Sequence, residues 1–182
     1  MDKVWRQVYL LKLKYKNGEE VSDSIGLLIS ILVRYPEVGS TNFDPETRKL
    51  TLTFTISKIL DNDSLKLFKN KLLSCINTFH FLQSRKPLLV DIKNSTYDKL
   101  TMLEVQRDVE TITHNEINLI ISLMQQNFSN FLLTDENESF IEEDLELQEE
   151  MIGHMLENIK ESTLGKKLFA FREEGRVLVF NK

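Results

Sequence analysis

Two hydrophobic periods alternate along the chain, and they predict where its helices and strands lie. A period near 3.6 follows Ser22 and Asp23, either of which can cap a helix whose apolar positions are Ile25, Leu28, Ile29, Leu32 and Val33. A period of two predicts strands over Val4–Tyr15, Val38–Phe43 and Lys49–Ser57. The first part of the chain is therefore expected to mix strands with helices.

The clearest alternation is in Lys49–Ser57, which follows a turn over Asp44–Thr47. One face of this strand is apolar and the other carries threonines; the two sets are Leu50, Leu52, Phe54, Ile56 and Thr51, Thr53, Thr55. Proline presets the backbone of the turn and aspartate suits its first position, so a β-hairpin with Val38–Phe43 is predicted. We expect the apolar face to be buried and the threonine face to be exposed to solvent.

The elements that follow predict the fold class. Asp61 and Asp63 precede a second amphipathic helix, Pro87–Lys93 is a strand, and the polar stretch Asn94–Lys99 turns into a strand over Leu100–Val109. The order β-α-β-β-α-β with one additional strand matches the split βαβ, ferredoxin-like plan. We therefore predict an α+β fold, in which a ferredoxin-like antiparallel sheet has helices on one face.

The sequence also predicts a division of the chain into two parts. Residues 1–112 are expected to form the ferredoxin-like α+β domain. Residues 113–182 are expected to form a helical, acidic segment with a C-terminal β-hairpin, packed on the first domain. The acidic helix is predicted over Phe140–Glu161, and the hairpin over residues 167–181.

The start of this second part carries a capping-box pattern. In such a box the Thr113 hydroxyl accepts a hydrogen bond from the Glu116 amide, and the Glu116 carboxylate accepts one from the Thr113 amide. The pattern predicts a helix that begins at these residues, with Ile117, Ile120, Ile121, Met124 and Phe128 on its buried side.

The first helix is apolar on nearly its whole circumference, at Ile25, Leu27, Leu28, Ile29, Ile31, Leu32 and Val33. A helix of this kind is buried from two sides. Either the C-terminal segment of the chain or a second subunit must therefore cover it. We prefer the C-terminal segment.

Charge is distributed unevenly along the chain. No lysine or arginine occurs between Arg107 and Lys160, a stretch of 52 residues with thirteen acidic side chains. Residues 1–107 hold 17 basic and 12 acidic side chains, and residues 160–182 hold six and three. Such asymmetry favours attraction to the chain's own basic front or to a basic protein partner. We predict this docking surface at Glu142, Glu143, Glu146, Glu149 and Glu150.

Familiar catalytic and targeting motifs are missing from the sequence. Its six glycines form no phosphate-loop pattern, no nucleophile elbow is present, and the lone Cys75 excludes a disulfide framework and a cysteine-rich zinc site. The N-terminal residues do not resemble a signal peptide, and the longest apolar-rich run, Ile25–Val33, is far shorter than the about 20 residues of a membrane span. We expect a cytoplasmic bacterial protein, with no membrane association and no cofactor.

Three functions remain open. We favour a non-enzymatic interaction or regulatory protein that binds another protein, or itself, through the acidic residues or the apolar first helix. A second is an RNA- or ribosome-associated module, disfavoured by the sequence pI near 5.3, with its basic patch at Lys12, Lys14, Lys16, Arg48 and Lys49. A third is a metal-dependent hydrolase built on Glu150, His154 and Glu157, which share one side of a helix.

Overall fold

The computed structural model describes residues 22–135, 142–162 and 165–181. Within these ranges the chain forms four helices and six strands. The helices are α1 (Asp23–Arg34), α2 (Asn62–Leu82), α3 (His114–Phe128) and α4 (Glu142–Glu161). The strands are β1 (Ser40–Asp44), β2 (Lys49–Ile56), β3 (Val90–Tyr97), β4 (Leu100–Asp108), β5 (Leu168–Glu173) and β6 (Arg176–Asn181). The strand predicted over Val4–Tyr15 lies outside the described residues.

The six strands form one antiparallel sheet in the order β3-β4-β2-β1-β5-β6. Three hairpins therefore lie side by side, and the C-terminal hairpin joins the sheet because β5 pairs with β1. The α+β class is confirmed. The split βαβ plan is not confirmed: it assigns the place between β3 and β2 to the strand Val4–Tyr15, and here β4 has that place.

Strand β2 provides the centre of the core. Its four apolar residues Leu50, Leu52, Phe54 and Ile56 are all buried, as the alternation predicts. They belong to one buried cluster with apolar side chains of all four helices, β4 and β5. Because the same face of β4 presents Leu103 and Val105, the core lies between one face of the sheet and the helices.

The expectation of a solvent-exposed threonine face was wrong. Thr51 is only 8% exposed and Thr53 only 4%. Strand β2 lies in the interior of the sheet, so Thr51 lies between Asn42 and Gln106, and Thr53 between Ser40 and Glu104. A short side chain between two neighbouring strands loses most of its contact with water even on the polar face.

The predicted helix starts are confirmed, with one correction. Ser22, Asp61 and Thr113 each accept a hydrogen bond from the amide three residues ahead, with N–O distances of 3.4, 2.8 and 3.2 Å. The capping box at Thr113 is not reciprocal. The Glu116 carboxylate binds Arg107 and His80 in the protein interior instead.

Helix α1 is covered from two sides. Its residues Leu27, Leu28, Ile31 and Leu32 are fully buried. Helix α4 packs along α1, and β1, β5 and β6 contact it as well. The C-terminal segment therefore covers most of this apolar helix, in line with the preferred interpretation, and Ile25, Ile29 and Val33 stay partly exposed.

Two arginines bind the carbonyl groups at the ends of helices α1 and α4. Arg172 of β5 donates to the carbonyls of Leu32, Tyr35 and Pro36, where α1 ends. Arg48, in the β1–β2 turn, donates to the carbonyls of residues 159, 160 and 162 at the end of α4, at 3.0, 2.8 and 2.7 Å. The last carbonyls of a helix lack helical partners, so both arginines stabilise the helix ends and attach them to the sheet.

Candidate functional site

Helix α4 packs against the rest of the chain through an apolar side and presents an acidic side to solvent. Ile152, Leu156 and Ile159 are buried in the core. Four exposed glutamates follow one another at intervals of four, seven and four residues, which keeps them on one side of a helix. We call these four the acidic stripe: Glu146, Glu150, Glu157 and Glu161.

The glutamates predicted as a docking surface divide into two groups. Glu149 is turned towards the protein, where its carboxylate lies 2.6 Å from Arg34 Nη2 of α1 and accepts a hydrogen bond from Asn118 of α3. Glu146 and Glu150 are exposed. The side chains of Glu142 and Glu143 lie outside the described part of the structure. One predicted residue therefore attaches α4 to its own chain, and two face solvent.

A cleft of about 650 Å³ separates α4 from the end of α2 and the start of α3. Glu150, His154 and Glu157 form its wall on α4. Arg85, which follows α2, and His114, in the first turn of α3, lie on the other side. The cleft is therefore lined by both negative and positive groups, and it opens next to the acidic stripe.

The metal-dependent hydrolase gains no support from this cleft. Glu150, His154 and Glu157 do share it, as their helical spacing predicts. However, no group of three or more His, Cys, Asp or Glu residues in the described ranges is arranged to hold a metal ion. A divalent metal site needs several converging ligands, so these side chains are better explained as an exposed helix face.

Arg48 was predicted as part of a basic patch for nucleic acid, but in the structure it binds groups of its own chain. Besides its three helix carbonyls, Arg48 binds Glu110, with Nη2 at 2.5 Å and Nε at 2.9 Å. Its guanidinium is thus occupied by protein groups and is not free for phosphate. Lys49 is half-buried at the start of β2, and Lys12, Lys14 and Lys16 lie outside the described residues.

A buried network of charged side chains links β4 to α2 and α3. Arg107, Glu116 and His80 are all buried, and Asp108 is nearly so. The Arg107 guanidinium binds both oxygens of Glu116 and one oxygen of Asp108. The carboxylate of Glu116 also lies 2.6 Å from His80 Nε2. Removal of Arg107 would leave both carboxylates without their positive partner in the interior.

The two ring nitrogens of His80 have different surroundings. Nε2 must donate to Glu116, because the carboxylate at 2.6 Å can only accept. Nδ1 is buried and has no hydrogen-bond partner in the described part of the chain. Arg107 Nη2 lies 3.2 Å from Nε2, so the imidazole contacts the guanidinium as well as the carboxylate.

Hydrogen bonds from this network also hold a loop in place. The segment from Phe81 to Leu88 comprises the last two residues of α2 and most of the connection to β3; we call it the α2–β3 loop, and it begins beside His80 and ends beside Leu89. Leu89 donates its amide to Asp108 at 2.9 Å, and its carbonyl accepts from Arg107 at 2.5 Å. The Arg85 amide binds the His80 carbonyl at 2.9 Å. Both ends of the loop are therefore held by residues of the buried network or their backbone.

Sequence reasoning missed the network, although one signal was present. His80 stands among apolar neighbours, and Glu116 matches a capping box, so neither suggests a buried ion pair on its own. The alternation in β4, however, puts Arg107 on the same face as Leu103 and Val105. An arginine at a core position requires a buried acidic partner, and this could have led to Glu116.

Asp108 should make stability depend on pH. Burial alone would raise the pKa of Asp108, but hydrogen bonds from Thr111 and Leu89 and the charge of Arg107 hold that pKa below its ordinary value. A carboxyl group with a lowered folded pKa stabilises the protein above its unfolded pKa of about 4, and this contribution is lost as the pH falls through the folded value.

We therefore expect Asp108→Asn to have a lower free energy of unfolding near neutral pH and a smaller decrease of that free energy on acidification. Urea titrations at a series of pH values from about 6 to about 2 measure both. Asp63→Asn, at an exposed position of α2, is the matched control. An unchanged acid dependence in Asp108→Asn would contradict the expectation.

Comparison with protein-family models, with curated proteins and with solved structures finds no match. Within the described ranges, no helix combines the length and the hydropathy that a membrane crossing needs. The surface of α4, the cleft and the α2–β3 loop are the features of the described residues that bear on function.

Proposed function

We propose that this is a cytoplasmic, non-enzymatic interaction or regulatory protein, which binds another protein through the acidic stripe of α4. The observation that supports this most is the contrast between the two sides of α4. Its inner side is attached by buried apolar residues, by the Glu149–Arg34 ion pair and by the Arg48 bonds at its end. On its outer side Glu146, Glu150 and Glu161 have no ion-pair partner among the described residues, and Glu157 pairs only with Lys160 of the same helix.

A fixed acidic helix suits recognition of a basic surface. Because α4 is already ordered, little conformational entropy is lost when a partner binds it. Each exposed ion pair contributes only about 0–1 kcal/mol, so binding would depend on the summed field of the stripe and would weaken at high ionic strength. The apolar surface of α1 has no part in this proposal, since α4 and the C-terminal hairpin cover most of it.

The test removes three exposed carboxylates of α4 and keeps the carboxylate of Glu149, which faces α1. In Glu146→Gln/Glu150→Gln/Glu157→Gln the helix keeps residues of similar propensity but loses three exposed charges. We expect this variant to fold with unchanged stability and to lose capture of its protein partner from an extract of the native host. Asp63→Asn/Asp98→Asn/Glu174→Gln removes three exposed charges elsewhere and should capture as the wild type does. Equal capture by both variants would refute the proposal.

Glu149→Gln should give the opposite result. It breaks the contact with Arg34, so the free energy of unfolding should fall by about 1 kcal/mol. Capture of the partner should be kept, because Glu149 faces α1 and not solvent. Loss of capture without loss of stability in this variant would mean that the partner binds a different side of α4.

A further inference from the structure

The α2–β3 loop exposes three large apolar side chains. Phe81 and Leu82 are each 77% exposed and Leu88 is 73% exposed. Arg85 and Lys86 lie between them and are exposed as well. Single exposed apolar residues are common, but several in one short segment mark an interaction site. The basic residues between them add a preference for a negatively charged counterpart.

The buried network holds the α2–β3 loop in place. His80, which precedes it, and Leu89, which follows it, both lie on the guanidinium of Arg107, at 3.2 and 2.5 Å. Phe81 and Leu88 are consequently brought to the same end of the molecule. A segment fixed in this way loses little entropy on binding, so its apolar side chains can contribute most of their burial to affinity.

The acidic counterpart is close by on the same chain. Arg85 of the loop and Glu150 and Glu157 of the stripe line one cleft. Neither Arg85 nor Glu150 has an ion-pair partner among the described residues. Leu147, which is 39% exposed, lies one helical turn from Glu150 and adds an apolar contact on the acidic side.

A surface with a basic, apolar half next to an acidic half is complementary to itself. Because Arg85 and Glu150 line the same cleft, a two-fold axis through that cleft would bring Arg85 of each copy towards Glu150 of the other. The exposed apolar side chains of the loop would then pack beside Leu147 of the opposite copy.

We infer that the partner of the acidic stripe is a second copy of this chain, bound as a two-fold symmetric dimer through the α2–β3 loop. This inference rests on the proposed function, and it identifies the α2–β3 loop as the basic surface that the acidic stripe binds. The charge pairs set the register of the dimer, and Phe81, Leu82 and Leu88 supply the burial that stabilises it.

The test is the mass of the purified full chain in solution, measured by sedimentation over a range of concentrations. We expect a dimer of the 21.3 kDa chain. Arg85→Glu and Glu150→Arg should each weaken the dimer by about 10- to 100-fold, since like charges then meet across the axis. An equimolar mixture of the two variants should restore it, because each interface contact again joins opposite charges. Arg176→Glu, at an exposed position of β6, is the control and should remain dimeric.

Replacing Phe81, Leu82 and Leu88 by serine should also give a monomer, with its fold checked by circular dichroism. A wild type that stays monomeric at about 1 mM would overturn the inference, and the proposed function would stand if the glutamine variant still lost capture. A dimer that the charge variants leave intact would place the interface elsewhere. Binding to anionic phospholipid vesicles, lost in the serine variant, would assign the loop to a membrane surface and would likewise overturn the inference.

Discussion

Replacing Arg107 by methionine should lower the free energy of unfolding by about 3–5 kcal/mol. The guanidinium binds Glu116 and Asp108 at once, and both carboxylates would lose their positive partner inside the protein. The Leu89 carbonyl would lose its donor as well. Urea unfolding followed by circular dichroism measures the change. Arg176→Met, which removes an exposed arginine from β6, is the matched control and should change stability by about 0.5 kcal/mol or less.

The double variant Arg107→Met/Glu116→Met separates the lost attraction from the uncompensated charge. Removing both partners leaves fewer buried charges than removing one, so the double variant should be more stable than Arg107→Met alone. If the double variant is less stable than Arg107→Met, the Glu116 carboxylate is stabilised by groups other than the arginine, and His80 would be the group to examine.

Leu156→Ala should lower the free energy of unfolding by about 2–5 kcal/mol, in a single transition. Leu156 is buried where α4 meets the core, so the substitution leaves a cavity beneath the acidic helix. Leu147→Ala on the same helix removes a residue that is 39% exposed and should have a much smaller effect. Urea unfolding monitored by both fluorescence and circular dichroism measures this. Two separate transitions would mean that α4 unfolds independently of the sheet.

Sequence reasoning succeeded where the information is local. The helix caps at Ser22, Asp61 and Thr113 depend on residues only three positions apart. The alternation of apolar and polar residues in β2 is contained in the sequence of that strand alone. The burial of Thr51 and Thr53 was not predictable in this way, because it depends on which strands lie beside β2. Strand order is a property of the whole sheet and is not encoded in the period of one strand.

The same distinction holds for the candidate site. The acidic run predicted a charged helix, but it could not separate Glu149 from Glu150. That separation depends on how α4 is rotated against α1, which Ile152 and its apolar neighbours determine by packing into the core. Arg48 was assigned to a basic patch for a similar reason. Its partners are the carbonyls of a helix more than a hundred residues further along the chain, and no local pattern indicates them.

The pairing of β5 with β1 has a consequence for synthesis of the protein. The two strands are separated by well over a hundred residues, so at a translation rate of about 5–20 residues per second β1 waits on the order of 10 s for its partner. During that interval α1 is made but lacks β5, β6 and α4, and of the elements that contact it most only β1 is present. We therefore expect the nascent chain to bind chaperones that recognise apolar segments until the C-terminal hairpin has joined the sheet.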